Sequence, residues 1–179
     1  ADVEVFRGFL DIRDAFDNAG RLNVPVAEYK FTRYRIEVQS SQARPLAAGI
    51  EYRWGGIYGG DFRQWTTNAS IRANRHFQMS AEYSLTQFDL PTGFLAVHVG
   101  TIEATAAVSP TMFIKSDVQY DNISEAFTFL TRFSWEPAPE REIFVSLGHT
   151  AMIEKDRFPQ SFRAQGTGMA IRLGHTFRM

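Results

Sequence analysis

Strict alternation of apolar and polar residues along residues 63–85 is the feature that most limits what this chain can fold into. Trp65, Thr67, Ala69 and Ile71 occupy one parity of RQWTTNASIR, while polar and charged residues occupy the other. After a break at 74–76 the same alternation returns. Successive side chains of a strand point to opposite faces, so a period of two predicts β-strands with one apolar face.

The same period continues along most of the chain and predicts ten strands separated by Gly- or Pro-marked turns. The predicted strands are residues 3–12, 29–40, 46–57, 63–73, 77–87, 94–108, 112–121, 126–136, 142–153 and 168–178. Tight turns are expected at 41–45, 74–76, 109–111 and 137–141, and longer loops at the other strand ends, notably 13–28 and 154–167.

An even strand count with short turns on one side and longer loops on the other is typical of a bacterial outer-membrane barrel. We therefore predict an all-β fold, a transmembrane antiparallel up-and-down β-barrel of about ten strands that forms a single domain over residues 1–179. A soluble β-sandwich would also alternate, and it remains an alternative at this point.

Charge separates cleanly between the two faces of four predicted strands. Over residues 46–54, 112–120, 126–136 and 169–179 the apolar parity carries no Asp, Glu, Lys or Arg. Strand 94–108 is less clean, because Leu95, Val97 and Val99 share their parity with Glu103, and we expect a bulge near Gly100. The charged residues expected to face the lumen of a closed barrel are Glu51, Arg53, Arg72, Glu82, Lys115, Asp117, Arg132 and Arg172.

Aromatic residues on the apolar parity fall near the strand ends. Membrane barrels place such residues in two belts at the lipid–water interfaces. The expected interface residues are Trp54, Trp65, Tyr83, Tyr120 and Phe127 at the loop ends of their strands, and Phe77, Trp135 and Phe177 at the turn ends.

Composition narrows the possible partners. A net charge of −1 gives no basic footprint for nucleic acid, and the absence of cysteine excludes disulfides and thiolate sites. Hydropathy alone would indicate a soluble protein, but membrane strands alternate and so average to a neutral score. The chain begins Ala-Asp-Val-Glu, as expected of a mature end after signal removal or of a cut from a longer protein.

Motifs for chemistry are weak. His76, His98, His149 and His175 are far apart in sequence and lack metal-ligand spacing, and no Gly-x-Ser-x-Gly elbow is present. We therefore expect no metal, no cofactor and no enzymatic activity. The glycines of GGIYGG at 55–60 predict a hairpin tip that bends sharply or contacts something closely.

Five stretches together resemble a known family. They are NVPVAEYKFTRYRIEVQSSQARPL at 23–46, YRWGGIYGGDFR at 52–63, FDLPTG at 88–93, VQYDNIS at 118–124 and TRFSWEPAPEREIFV at 131–145. In this order they resemble the C-terminal barrel of uncharacterised bacterial outer-membrane proteins, in which a domain of unknown function follows a carbohydrate-binding domain similar to binding-module family nine. The resemblance implies an outer-membrane barrel and carries no catalytic residues.

Three functional hypotheses follow. The first is passive passage of small polar solutes or ions through a narrow polar lumen. The second is a plugged barrel that anchors a protein partner, such as the N-terminal domain that this chain lacks relative to the family. The third is a soluble binding protein. We favour the first, with outer-membrane lipid as the surroundings and a bacterial outer-membrane location.

Overall fold

A computed structural model describes residues 1–18, 22–154 and 161–175, and every described element in it is a strand. The strands are β1 (Asp2–Ile12), β2 (Phe16–Asn18), β3 (Leu22–Val24), β4 (Ala27–Gln39), β5 (Leu46–Ile57), β6 (Gly60–Arg72), β7 (Phe77–Leu90), β8 (Gly93–Ser109), β9 (Met112–Asp121), β10 (Ala126–Ala138), β11 (Arg141–Glu154) and β12 (Ser161–His175). No helix long and apolar enough to cross a membrane occurs within these ranges.

Ten of these strands form one antiparallel sheet in the order β1-β4-β5-β6-β7-β8-β9-β10-β11-β12, and β2 pairs with β3 in a separate hairpin. The all-β antiparallel prediction is therefore confirmed. Within the described residues no ladder joins β1 to β12, so the sheet is not closed into a barrel.

The predicted strands agree with the observed ones to within a few residues, apart from β12, which begins at Ser161 rather than at 168. The prediction of longer loops was wrong at two places: β5 and β6 are joined by residues 58–59 alone, and β7 and β8 by residues 91–92. Glycine explains the first of these tight turns. Tyr58 and Gly59 both have positive φ, as a two-residue hairpin of type I′ requires.

Gly55 confirms that the GGIYGG segment approaches a neighbour closely. A Cβ atom at Gly55 would lie 2.2 Å from the backbone oxygen of Thr32, and its φ of 137° is open to glycine alone. The segment therefore forms a hairpin in which the glycines are required by the backbone path.

The chain divides into two compact units. The first unit comprises Ala1–Ser41, Ala48–Asn68 and Glu82–Val99, and the second comprises Gln42–Ala47, Ala69–Ala81 and Gly100–Met179. In the first unit β1 pairs with β4 from Asp2↔Glu37 to Ile12↔Ala27, and β4 pairs with β5 from Arg33↔Gly55 to Gln39↔Gly49. In the second unit β9, β10, β11 and β12 form consecutive antiparallel ladders.

Few apolar side chains are buried. Those below one tenth exposure are Leu22, Val24, Ala47, Phe62, Leu90, Leu95 and Ala151. Five of the seven lie in the first unit, and two of them, Leu22 and Val24, come from the short strand β3. The connection between β1 and β4, predicted as a loop, thus contains two short paired strands, and the second of them buries its two apolar side chains.

Burial alternates along β6. The residues of the apolar parity from Trp65 to Ile71 are exposed, while Gln64, Thr66, Asn68 and Ser70 on the polar parity are half-buried. This pattern is the reverse of a soluble sheet with its apolar face in a core.

The parity of β8 differs from the prediction. Phe94 is 60% exposed and Leu95 only 2%, so the exposed face here begins with the even-numbered residues. Even positions from Phe94 to Val108 carry no charge. Glu103 therefore lies on the parity of Leu95, opposite the exposed apolar face, although its own side chain is 56% exposed, and the bulge suggested near Gly100 is not needed to place it.

Candidate functional site

A cluster of five charged residues joins β1, β4 and β5 in the first unit. We call it the Arg35 cluster; its members are Glu4, Arg35, Glu37, Glu51 and Arg53. The register sets Arg35 directly opposite Arg53, and Glu37 directly opposite Glu51. Like charges in direct opposition repel, so the attractive contacts run diagonally and along the strands.

Glu51 is the centre of this cluster. Its carboxylate accepts a hydrogen bond from Arg35 Nε at 2.6 Å and lies 2.7 Å from Arg53 Nε, and it thereby bridges the two opposed guanidinium groups. Arg35 also donates to Glu4 at 3.1 Å and to Glu37. The side chain of Glu51 is only 15% exposed, whereas its neighbour Ile50 is 43% exposed.

A second cluster joins β8, β9 and β10 in the second unit, and its members are Glu103, Lys115, Asp117 and Arg132. We call it the Lys115 cluster. Lys115 lies directly opposite Arg132 in the β9–β10 ladder. Asp117 bridges these two cations, at 3.3 Å from Lys115 Nζ and 3.2 Å from Arg132 Nη1, and Glu103 contacts Lys115 at 3.1 Å.

The remaining predicted lumen residues lie outside both clusters. Arg72 is exposed and lines a cavity of about 210 Å³ that Glu103 also lines. Glu82 is exposed, and Arg172 on β12 lies 3.8 Å from Glu142. The sequence prediction thus named five residues of the clusters and missed Glu4, Arg35, Glu37 and Glu103. The first three were readable from the parity of β1 and β4, to which the charge test was not applied.

Four aromatic rings form a continuous row on the apolar parity of β4, β5 and β6, with Tyr34 and Trp65 exposed and the two rings of β5 half-buried. Tyr34 stacks on Trp54 with centroids 5.3 Å apart, Trp54 stacks on Tyr52 at 4.9 Å, and Tyr52 stacks on Trp65 at 4.0 Å. We call this the aromatic row. It joins two of the predicted interface residues, Trp54 and Trp65, through tyrosines that the prediction did not include.

The other predicted interface residues occupy different strands. Tyr120 lies directly opposite Phe127 in the β9–β10 ladder. Tyr83 is exposed, and its hydroxyl group lies 2.6 Å from His98 Nδ1. Phe77 and Trp135 are exposed, while Phe177 lies outside the described residues.

Arg33 occupies a distinct environment in the first unit. Its guanidinium carbon lies 4.1 Å from the ring centroid of Phe31 and 5.3 Å from that of Phe62, and its Nε donates to the Gly56 carbonyl oxygen at 3.2 Å. These rings and the carbonyl satisfy part of the charge by cation–π and hydrogen-bond contacts. Arg33 lines a cavity of about 750 Å³.

Asp121 closes the turn between β9 and β10. Its carboxylate accepts hydrogen bonds from the amides of Ile123 at 2.9 Å and Ser124 at 2.7 Å, and from the Ser124 hydroxyl group. Partial burial by itself raises the pKa of Asp121, but these hydrogen bonds favour the carboxylate more strongly and bring the pKa below its usual value.

Three of the four histidines have local partners rather than a common ligand. His76 Nδ1 lies 2.9 Å from the Ala107 carbonyl oxygen, His149 Nδ1 lies 2.8 Å from the Thr167 hydroxyl group, and His98 contacts Tyr83. Over the described ranges no group of three or more His, Asp or Glu side chains is arranged to hold a metal ion.

Comparison with protein families, with curated proteins and with solved structures found no match to this chain. The resemblance to the outer-membrane family therefore stays a prediction.

Proposed function

We propose that this chain forms the wall of a β-barrel in a bacterial outer membrane and that its charged face lines a narrow polar path for small solutes or ions. The supporting observation is the inverted burial of the two faces. Large apolar side chains are exposed on one parity. On the other parity several charged side chains are half-buried and paired with opposite charges, namely Arg35, Glu51, Lys115, Asp117 and Arg132.

The extent of the exposed apolar face supports lipid as its surroundings. Soluble proteins rarely expose large contiguous apolar patches. The exposed large apolar residues on this face include Val3, Val5, Tyr34, Ile36, Val38, Leu46, Ile50, Trp65, Ile71, Met79, Tyr83, Ile102, Val108, Ile114, Leu147, Met169, Ile171 and Leu173. Acyl chains would solvate such a face without cost.

Barrel formation requires the two free edges, on β1 and β12, to find partners. The hydrocarbon core offers no water to satisfy an unpaired strand edge, so open sheets do not span membranes. Either the two edges pair with each other, or further strands complete a larger barrel.

Cysteine cross-linking distinguishes these two ways of completing the barrel. Because the chain contains no cysteine, only the introduced pair can form a disulfide. An antiparallel β1–β12 ladder places Val3 and Val5 near Ile171 and Leu173. We expect a disulfide within one chain when Val5→Cys is combined with Cys at 171 or 173, and none when Phe9→Cys is combined with them. No cross-link from either position indicates that other strands complete the barrel.

Single-channel conductance in planar bilayers tests the passage function. About eight strands leave an interior filled by side chains and about sixteen leave a wide channel, so ten strands predict a small conductance. Lys115→Gln should change the conductance or its ion selectivity, because Lys115 belongs to the charged face. The matched control is Arg75→Gln, since Arg75 lies in the exposed turn between β6 and β7.

A charged substitution on the exposed apolar face tests insertion directly. Ala69→Arg should destabilise the protein by about 2–4 kcal/mol in lipid if this position lies near the bilayer midplane. In water the same exposed site should tolerate arginine within roughly 0.5 kcal/mol. Asn68→Arg, one residue away on the polar parity, is the control.

A plugged barrel that anchors a partner is the second candidate. The observation that favours it is the mutual pairing of the charged residues, because bridged cations and carboxylates leave little free charge to carry solute. This candidate predicts no conductance from correctly inserted protein, together with co-purification of a partner chain.

A further inference from the structure

The cavity around Arg33 differs in composition from the two charged clusters. All of its lining residues belong to the first unit, and they are Glu4, Phe6, Arg7, Phe31, Arg33, Tyr34, Arg35, Arg53, Phe62 and Gln64. Its volume of about 750 Å³ lies within the range of small-molecule sites. Four arginines and four aromatic rings, with one carboxylate, give it a lining suited to an organic anion.

Arg33 and Arg7 are the lining cations that contact no carboxylate in the described part of the chain, and of these two Arg33 is half-buried while Arg7 is exposed. Arg35 and Arg53 already contact carboxylates of the Arg35 cluster. The Nε of Arg33 donates a hydrogen bond to the Gly56 carbonyl oxygen, two phenyl rings lie beside the guanidinium group, and Tyr58 interacts with its charge. Its guanidinium group also carries N–H donors on both Nη atoms, in the fork geometry that matches a carboxylate.

The surroundings of Arg33 select among anions. The flanking phenyl rings of Phe31 and Phe62 offer apolar contact to a ligand body and little to a small hydrated ion. The Arg35 cluster, in which three carboxylates face two guanidinium groups, lies beside the cavity through Glu4 and Arg35 and disfavours a doubly charged ligand.

We propose that this cavity binds monocarboxylates with an aromatic or branched apolar body, and that Arg33 is the residue that holds the carboxylate. The proposal deepens the passage function, on which its consequence for transport rests, by naming the class of solute. Binding itself is a separate equilibrium and is measured separately.

The experiment titrates benzoate into the full chain in detergent micelles, with empty micelles as the blank, and follows binding by saturation-transfer NMR. We expect saturable binding that benzyl alcohol and acetate do not reproduce, since each lacks either the charge or the ring. Arg33→Gln should weaken benzoate binding by about tenfold to a hundredfold, the loss expected for charge-assisted hydrogen bonds. Arg75→Gln should bind as the wild type does.

Arg33→Lys and Phe62→Leu provide readouts if Arg33→Gln fails to fold. Arg33→Lys keeps the charge but loses the fork, so benzoate affinity should fall by an intermediate factor. Phe62→Leu should weaken benzoate binding more than it weakens acetate binding. Equal benzoate affinity in the wild type and in Arg33→Lys would overturn the role of Arg33, and tighter binding of inorganic phosphate than of benzoate would overturn the ligand class.

Combining binding with conductance separates the two proposals. Arg33-dependent benzoate binding by a protein that conducts no ions would leave the site standing and overturn passage. Ion conductance without any benzoate binding would overturn the site and leave passage standing.

Discussion

The Arg35 cluster and the Lys115 cluster use the same layout in two regions of the molecule. In each, two cations lie directly opposite on neighbouring strands, Arg35 with Arg53 and Lys115 with Arg132. A single carboxylate, Glu51 or Asp117, bridges the opposed pair from a diagonal position. The directly opposed cations repel each other, but both are attracted to the carboxylate that bridges them.

The two clusters differ in shelter and in the number of carboxylates. The side chains of the Arg35 cluster are exposed by 15–46%, with the bridging Glu51 at 15%, whereas those of the Lys115 cluster are exposed by 27–56%, with the bridging Asp117 at 27%. Screening by water weakens exposed pairs, so equal geometry does not give equal energy. The bridging carboxylate therefore contributes most to stability where water cannot replace it.

Removal of the Glu51 carboxylate, which is the more sheltered of the two bridges, should have the largest effect on the free energy of unfolding. Glu51→Gln leaves Arg35 and Arg53 in direct opposition without their shared carboxylate, and we expect a loss of about 2–3 kcal/mol in the free energy of unfolding, less than for a fully buried pair. Urea titration followed by far-ultraviolet circular dichroism measures it. A loss below roughly 1 kcal/mol would show that Glu4 and Glu37 compensate fully.

The equivalent change in the Lys115 cluster should cost less. Asp117→Asn removes the same bridge at a more exposed place, and we expect a loss of about 1 kcal/mol or less, as for partly solvated ion pairs. The same titration compares the two variants, and their difference should shrink in 1 M salt. Equal losses of stability in the two variants at low salt would contradict the ranking of the two clusters by shelter.

The outer carboxylates of the two clusters should have smaller effects. Glu4→Gln removes one of three carboxylates from Arg35, and we expect a loss of about 0.5 kcal/mol that appears as faster amide hydrogen exchange in β1. Glu103→Gln is the matched change beside Lys115. A larger effect from Glu103 than from Glu4 would contradict the ranking by shelter.

Asp121, in a turn outside both clusters, should have the smallest effect on stability, and this effect should depend on pH. The pKa of Asp121 is lowered in the folded state, so its carboxylate stabilises the fold above the unfolded pKa of about 3.9 and loses this contribution as the pH falls through the folded value. Asp121→Asn should therefore be less stable than the wild type by roughly 0.5 kcal/mol at pH 7, with the difference vanishing in acid. A difference that is independent of pH down to pH 2 would show that the charge plays no part.

Strand positions were predictable because period two extends over long segments, as in β6 and β7. The hairpin of β2 and β3 was not, since strands of three residues carry no period. The turn lengths at 58–59 and 91–92 depended on glycine conformations that the spacing of polar residues does not reveal.

The candidate site was predictable only in part, for a different reason. Parity identifies which charges share a face, and it groups Glu51 with Arg53 and Lys115 with Asp117 on their strands. It does not say which charges pair. The position of Arg35 opposite Arg53 depends on the strand register. The position of Arg33 beside two phenyl rings depends on its rotamer. Both are defined only in the folded chain.

The aromatic row gives the protein a label-free optical reporter. Rings stacked 4.0–5.3 Å apart couple their electronic transitions, so Trp54 and Trp65 should produce a strong near-ultraviolet dichroic band that vanishes as soon as β4, β5 and β6 separate. Trp135, on a distant stretch of the sequence, contributes emission without belonging to that stack. Near-ultraviolet circular dichroism can therefore follow the assembly of these three strands separately from the folding of the rest of the chain.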